Sequence, residues 1–255
     1  MDFGAMIRIA RRVAALGIAV LCVSAPAHAD WTGKGEGGLL LSRGNADSTA
    51  GNVKLDIARE HNDWKNSLFV AGLYASNADF TTAERIEGRY QLDRKLSDKL
   101  YAFGALRGER DLFSGFEYQA TLSAGIGYKF IDDAKTKLAG TVGIGYRKLR
   151  PEQLVKAPSG EVIERIKGES SGEAVATAGL NFEHQLTQTT KLLDKLLVEA
   201  GSSNTSLAND FGVQVSMTDR LALAFGYGVR YNTDPAPGSK KLDQQTTVNI
   251  VYNIK

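Results

Sequence analysis

Residues 221–231 read LALAFGYGVRY, with Leu221, Leu223, Phe225, Tyr227, Val229 and Tyr231 large at every second position. Between them stand Ala222, Ala224, Gly226, Gly228 and Arg230. Side chains two apart in a strand share a face, so one face here is apolar and aromatic while the other is small and then charged. A strand half-buried in a water-soluble protein pairs its apolar face with a well-solvated polar one. Small residues opposite large ones instead suit a narrow interior, with the large side chains turned outward.

The same alternation recurs along the chain. In 116–130, Tyr118, Leu122, Ile126, Tyr128 and Phe130 oppose Glu117, Gln119, Thr121, Gly125 and Lys129. Ile86, Tyr90 and Leu92 oppose Arg85, Glu87, Arg89, Gln91 and Asp93, and Val248, Ile250 and Tyr252 oppose Thr247, Asn249 and Asn253. The period of two predicts twelve strands, at approximately 31–43, 49–60, 64–76, 82–96, 99–112, 116–130, 137–149, 170–186, 190–201, 206–217, 220–232 and 241–254. The ninth, TKLLDKLLVEAG, also fits one face of a helix. Connectors after even strands are short, such as His61-Asn62-Asp63, while those after odd strands are longer, with Arg150 to Glu169 the longest. Short turns at one end and loops at the other are the pattern of outer-membrane barrels.

Alternation alone allows a soluble β-sandwich or barrel as well as a membrane one. Three features favour lipid. The segments exceed the five or six residues usual in soluble strands and match the tilted span of a hydrocarbon core. Aromatics stand near segment ends at Trp31, Trp64, Tyr74, Tyr101, Tyr118, Tyr128, Tyr146, Tyr231 and Tyr252, where interface girdles are expected. The opposite faces mix small residues with charges of both signs. The fold expected is all-β, an antiparallel transmembrane β-barrel of about twelve strands.

The first 29 residues carry Arg8, Arg11 and Arg12, the apolar run Val13 to Val23, and Ala27-His28-Ala29. They read as a cleaved signal peptide, leaving residues 30–255 as the barrel. Cys22, the only cysteine, leaves with it, so the remainder holds no thiol. Lys+Arg falls from 31 to 28 and Asp+Glu from 29 to 28, a neutral balance that weighs against nucleic-acid binding. No apolar run long enough for a spanning helix follows.

The order and spacing of several short motifs resemble the salt-induced outer membrane protein family grouped as domain of unknown function 481. They are WTGKGEGGLLLSRGNADSTAGN at 31–52, ERDLF at 109–113, GIGYKF at 125–130, GIGYRKL at 143–149 and the stretch from Val198 to Ile254. The resemblance implies a β-barrel in the outer membrane of a Gram-negative envelope and brings no reaction or catalytic residue. A chain so placed meets outer-membrane lipid and lipopolysaccharide, and reaches them through periplasmic chaperones and the barrel-assembly machinery. Its oligomeric state is left open.

Candidate chemistry is sparse. Neither GIGYKF nor GIGYRK completes a dinucleotide fingerprint, and the remaining histidines, His61 and His184, have no metal spacing, so no cofactor is expected. A lipid hydrolase would need His184 beside Ser170, Ser171 or Ser123, with no nucleophile motif to support it. The best lead is charge inside the barrel. Strand parity turns Arg85, Glu87, Arg89, Arg107, Glu109, Glu117, Lys129, Arg147 and Arg230 inward, where they form either a selective constriction or a plug of ion pairs. The leading expectation is an envelope barrel acting as a narrow channel for small solutes. The alternatives are a non-transporting structural or stress-related barrel and an outer-membrane hydrolase.

Overall fold

The computed structural model describes residues 31–42, 48–77, 80–112, 114–159 and 161–254. The signal-peptide expectation lies outside the described residues. Thirteen strands form: β1 (Trp31–Ser42), β2 (Ser48–His61), β3 (Trp64–Asn77), β4 (Phe80–Lys95), β5 (Leu100–Asp111), β6 (Phe116–Asp132), β7 (Thr136–Lys156), β8 (Val162–Lys167), β9 (Ser171–Gln185), β10 (Thr190–Gly201), β11 (Thr205–Ser216), β12 (Leu221–Asn232) and β13 (Leu242–Ile254). All neighbouring pairs are antiparallel, and β1 pairs with both β2 and β13. β7 bridges β6 and β9, so the wall closes with twelve strands and β8 stands outside the ring. Closure gives every strand of the wall a neighbour on both sides, as backbone in hydrocarbon requires.

One expectation is borne out and another corrected. TKLLDKLLVEAG is a strand, β10, and not a helix, because its backbone groups complete ladders with β9 and β11. The segment 150–169 is not a loop: β7 runs on to Lys156 and pairs from Glu152 to Lys156 with β8.

The sidedness of LALAFGYGVRY is settled by exposure. Phe225 is 49% exposed on the outer wall, whereas Ala222 is fully buried within it. Ile144, Leu122 and Ile250 are likewise exposed, while Val251, between outward Ile250 and Tyr252, is fully buried. Large apolar side chains outside and small or polar ones inside reverse the arrangement of a soluble protein and make a wall suited to hydrocarbon. Tyr101 is the exception among the expected girdle aromatics. It pairs with Gly127, and its ring occupies the space a side chain at Gly127 would need, inside the barrel. At Gly125 a side chain would strike the Val142 carbonyl and Gly143 backbone of β7 and then the Phe103 ring, so the two glycines of GIGYKF have different reasons.

The tight connections share one device. In LSDKL (96–100), LTQTT (186–190) and MTDRL (217–221) a hydroxyl at the second position caps the turn. Ser97 Oγ accepts from Leu100 N at 3.0 Å, Thr187 Oγ1 from Thr190 N at 3.0 Å and Thr218 Oγ1 from Leu221 N at 2.9 Å. Asp133 does the same with its carboxylate, accepting from Lys135 N and Thr136 N. The β2–β3 turn is shorter, with Asn62 at φ 52°, a conformation asparagine tolerates. All five lie at one end, called here the turn end; the opposite end is the loop end.

Candidate functional site: the charged lumen

The loop-end half of the lumen is crossed by arginine-centred ion pairs. Alternation brings Glu87 of β4 and Arg107 and Glu109 of β5 to one face, and closure brings Glu199 of β10 to meet them from across the barrel. Arg107 donates from Nε to Glu87 at 3.0 Å and from Nη1 to Glu199 at 3.2 Å, and it also pairs with Glu109. Glu87 in turn lies 4.0 Å from Arg230, which is held by Asp210 at 2.9 Å. Arg85 reaches Gln245 on β13 at 2.9 Å and Asp111 at 3.8 Å. Arg147, fully buried, pairs with Glu173 at 2.5 Å and also donates to Ser206 Oγ and to the carbonyl of Asn204. The planar guanidinium fork suits such several-sided contacts, and each charge so deeply placed needs its partner. Between these side chains remain two cavities of ≈ 20 and ≈ 50 Å³, each large enough for water and little else.

The predicted set is therefore partly assembled and partly dispersed. Glu87, Arg107, Glu109 and Arg230 form one connected cluster, Arg85 is held by Asp111 and Gln245, and Arg147 pairs with Glu173. Arg89 stands apart, donating to Gln91, which donates to Asp93 at 2.7 Å. Glu117 departs from the expectation. The register slips between Phe116 and Tyr118, and Glu117 sits at the rim, bound by Arg150 at 3.2 Å and Lys167 at 2.5 Å. Lys129 lies at the opposite mouth, paired with Asp132 at 2.8 Å. Sequence reasoning missed Glu173, Glu199 and Asp210, although the parity that turns Arg147 and Arg230 inward applies equally to their strands.

Above the clusters the loops close over the lumen. Leu154 of β7 is buried, with its N–H toward the carbonyl of Pro237 at 3.4 Å, and Glu152 N donates to Gly115 O at 2.9 Å. Arg165 of β8 clasps Glu152 at 2.8 Å and the carbonyl of Leu112 at 2.5 Å. Gly115 and Gly238 have φ of +84° and +87°, and a side chain at Gly238 would strike the carbonyl of Leu154. The hairpin and two loops thus pack as one cap.

The hydrolase constellation does not assemble. His184 Nδ1 meets Thr136 Oγ1 at 2.9 Å near the turn end, while Ser170 bonds Tyr118 and Ser171 begins β9 at the loop end. Ser123 lies on β6, which is not a neighbour of β9.

A family described as "Protein of unknown function, DUF481" matches residues 35–254. The chain is 21% identical over 231 residues to the uncharacterized protein YdiY of Escherichia coli (strain K12), covering 90% of this chain and 86% of that one. Among solved structures it is similar to the NanC porin, at 13% identity and TM-score 0.48, covering 88% of this chain and 99% of that one. It is also similar to the translocator domain of the autotransporter NalP from Neisseria meningitidis, at 12% identity and TM-score 0.46, covering 99% and 98%.

Proposed function

The chain belongs to the DUF481 family, and on that premise we propose that it is an outer-membrane barrel serving as a narrow channel for small solutes, closed at rest by its own ion pairs. The observation that carries this reading is Arg107, which ties Glu87 and Glu109 on one side of the lumen to Glu199 on the other. A lumen lined by charge of both signs is a path for small polar solutes only when such bridges part, and a desolvated bridge with three acidic partners is a firm lock. The location in the outer membrane is supported by the closed ring, the exposed apolar wall and strands of 12 residues or more.

Planar-bilayer recording tests it. The unaltered protein should show brief openings from a silent baseline, and Arg107→Ala should conduct steadily. A second reading, a plugged barrel that transports nothing, is favoured by the packed cap over the lumen. Silence from folded Arg107→Ala as well as from the unaltered protein would sink the channel and leave the plug.

A further inference from the structure

At the loop-end margin of the outer wall, cations gather on one sector. Arg110 of β5 pairs in register with Ile86, whose side chain is exposed on the outer wall, so Arg110 faces outward too. On β7, Arg150 pairs with Tyr118, and Lys148, two residues nearer the apolar band, pairs with Ala120. Arg110, one residue beyond the Glu109–Gln119 pair, lies at a register shift beside the row of Tyr118 and Arg150. Leu106, Leu122 and Tyr146 form the apolar row below it, all more than half exposed. Between the rows lie Gly108 and Ala120 beside Lys148; a side chain at Gly108 would meet nothing within 4 Å, so the wall there is recessed and open.

The cations exceed the carboxylates within reach. Glu84 lies 3.9 Å from Arg110, and Glu117 is shared by Arg150 and Lys167. Lys148 is exposed, and its ammonium makes no ion pair or side-chain hydrogen bond among the described residues. The turn end differs: Arg59 covers the ring of Trp31, Arg94 that of Trp64, and Arg220 reaches Tyr252 Oη at 3.5 Å, each cation engaged by an aromatic on a different part of the rim.

We propose that Arg110, Lys148 and Arg150 form a binding site for the phosphate groups of lipid A, the phosphorylated lipid of the outer leaflet, with its acyl chains lying along Leu106, Leu122 and Tyr146. The proposal rests on the outer-membrane reading above. Phosphate seated in the recess would accept charge-assisted hydrogen bonds from cations two strand spacings apart, about 10 Å. The apolar row directly beneath distinguishes a lipid phosphate from a free one.

The test is native mass spectrometry of the detergent-solubilised protein incubated with purified bisphosphorylated lipid A. Occupancy should fall at least about tenfold for Arg110→Ala/Lys148→Ala, and equally for the unaltered protein given lipid A stripped of its phosphates. Arg59→Ala/Arg94→Ala, at the other rim, should leave occupancy unchanged, as should millimolar inorganic phosphate. Equal retention by the loop-end variant, equal retention of the stripped lipid, or displacement by inorganic phosphate would overturn the site. Insertion into phospholipid vesicles, read by heat-dependent gel mobility, is measured on the same samples. Failure of the unaltered protein to insert would refute the membrane reading, whereas insertion with undiminished retention by the variant would refute only the site.

Discussion

The two halves of the lumen use different cations. Toward the loop end every bridging cation is an arginine, Arg85, Arg107, Arg147 or Arg230, and Arg147 is wholly buried. Toward the turn end they are lysines, with Lys195 reaching across to Asp56 at 2.7 Å while its side chain stays 55% exposed. Both halves therefore contain bridges that cross the barrel, yet they have different physical standing. A delocalised guanidinium keeps its charge when desolvated and serves several carboxylates at once; an ammonium is a strongly hydrated point charge that does best near water. The loop-end bridges form a lock, whereas the Lys195–Asp56 bridge stays open to water.

That contrast can be broken most directly by Arg107→Ala, which leaves Glu87, Glu109 and Glu199 facing one another without their shared cation. It should cost about 3–5 kcal/mol of unfolding free energy, read by urea titration of the folded barrel, a loss large enough to compete with channel opening as a phenotype. Leu154→Ala should loosen the cap by about 2–4 kcal/mol and raise the rate of trypsin cleavage at Lys156 or Lys167 in intact membranes. Unchanged cleavage would mean that the cap is already open. Phe225→Asp should lower the yield of heat-modifiable barrel through a cost of roughly 2 kcal/mol in lipid. The inward neighbour Ala224 lies in register with buried Gln214 and Asn249, so Ala224→Ser, small enough for that space, should assemble normally. Arg147→Lys keeps the charge but loses the fork shared by Glu173, Ser206 and Asn204, and should destabilise by about 1–2 kcal/mol. Lys195→Ala should destabilise least in the same titration, by under about 0.5 kcal/mol, because that pair is open to water. If Lys195→Ala costs as much as Arg107→Ala, the contrast between the buried arginine bridges and the open lysine bridge is wrong.

The wall was legible in the sequence because a period of two survives wherever one face meets lipid and the other a narrow interior. LALAFGYGVRY keeps that period without a fault, and so do the segments around Ile86, Ile126 and Ile250. What escaped was local geometry. Pro151, Pro158 and the many charges between Arg150 and Glu169 read as a loop, yet the backbone of β7 continues through Pro151 and returns as β8. The register slip between Phe116 and Tyr118 moves Glu117 from the lumen to the rim, which side-chain chemistry cannot signal. Tyr101 has the chemistry of a girdle residue, yet the lumen-facing Gly127 opposite it leaves room for its ring inside. The acidic partners Glu173, Glu199 and Asp210 were in view as residues, but which strands face one another across a closed ring depends on the closure itself.

That closure has a cost in time. Among the described residues, β1 and β13 meet over five residue pairs, Gly33 to Gly37 against Ile254 to Ile250, while β1 and β2 meet over twelve. The seam joins the two ends of the described chain, so its contacts span the greatest sequence separation and close the largest loop. Every other ladder in the wall joins strands nearer in sequence and can zip from the connection between them, the β7–β9 one running through the β8 excursion. The seam cannot, and it waits until the rest of the wall has brought its two edges side by side. The barrel is accordingly a curled sheet through most of its formation and a ring only at the end, with its shortest ladder as the last to form.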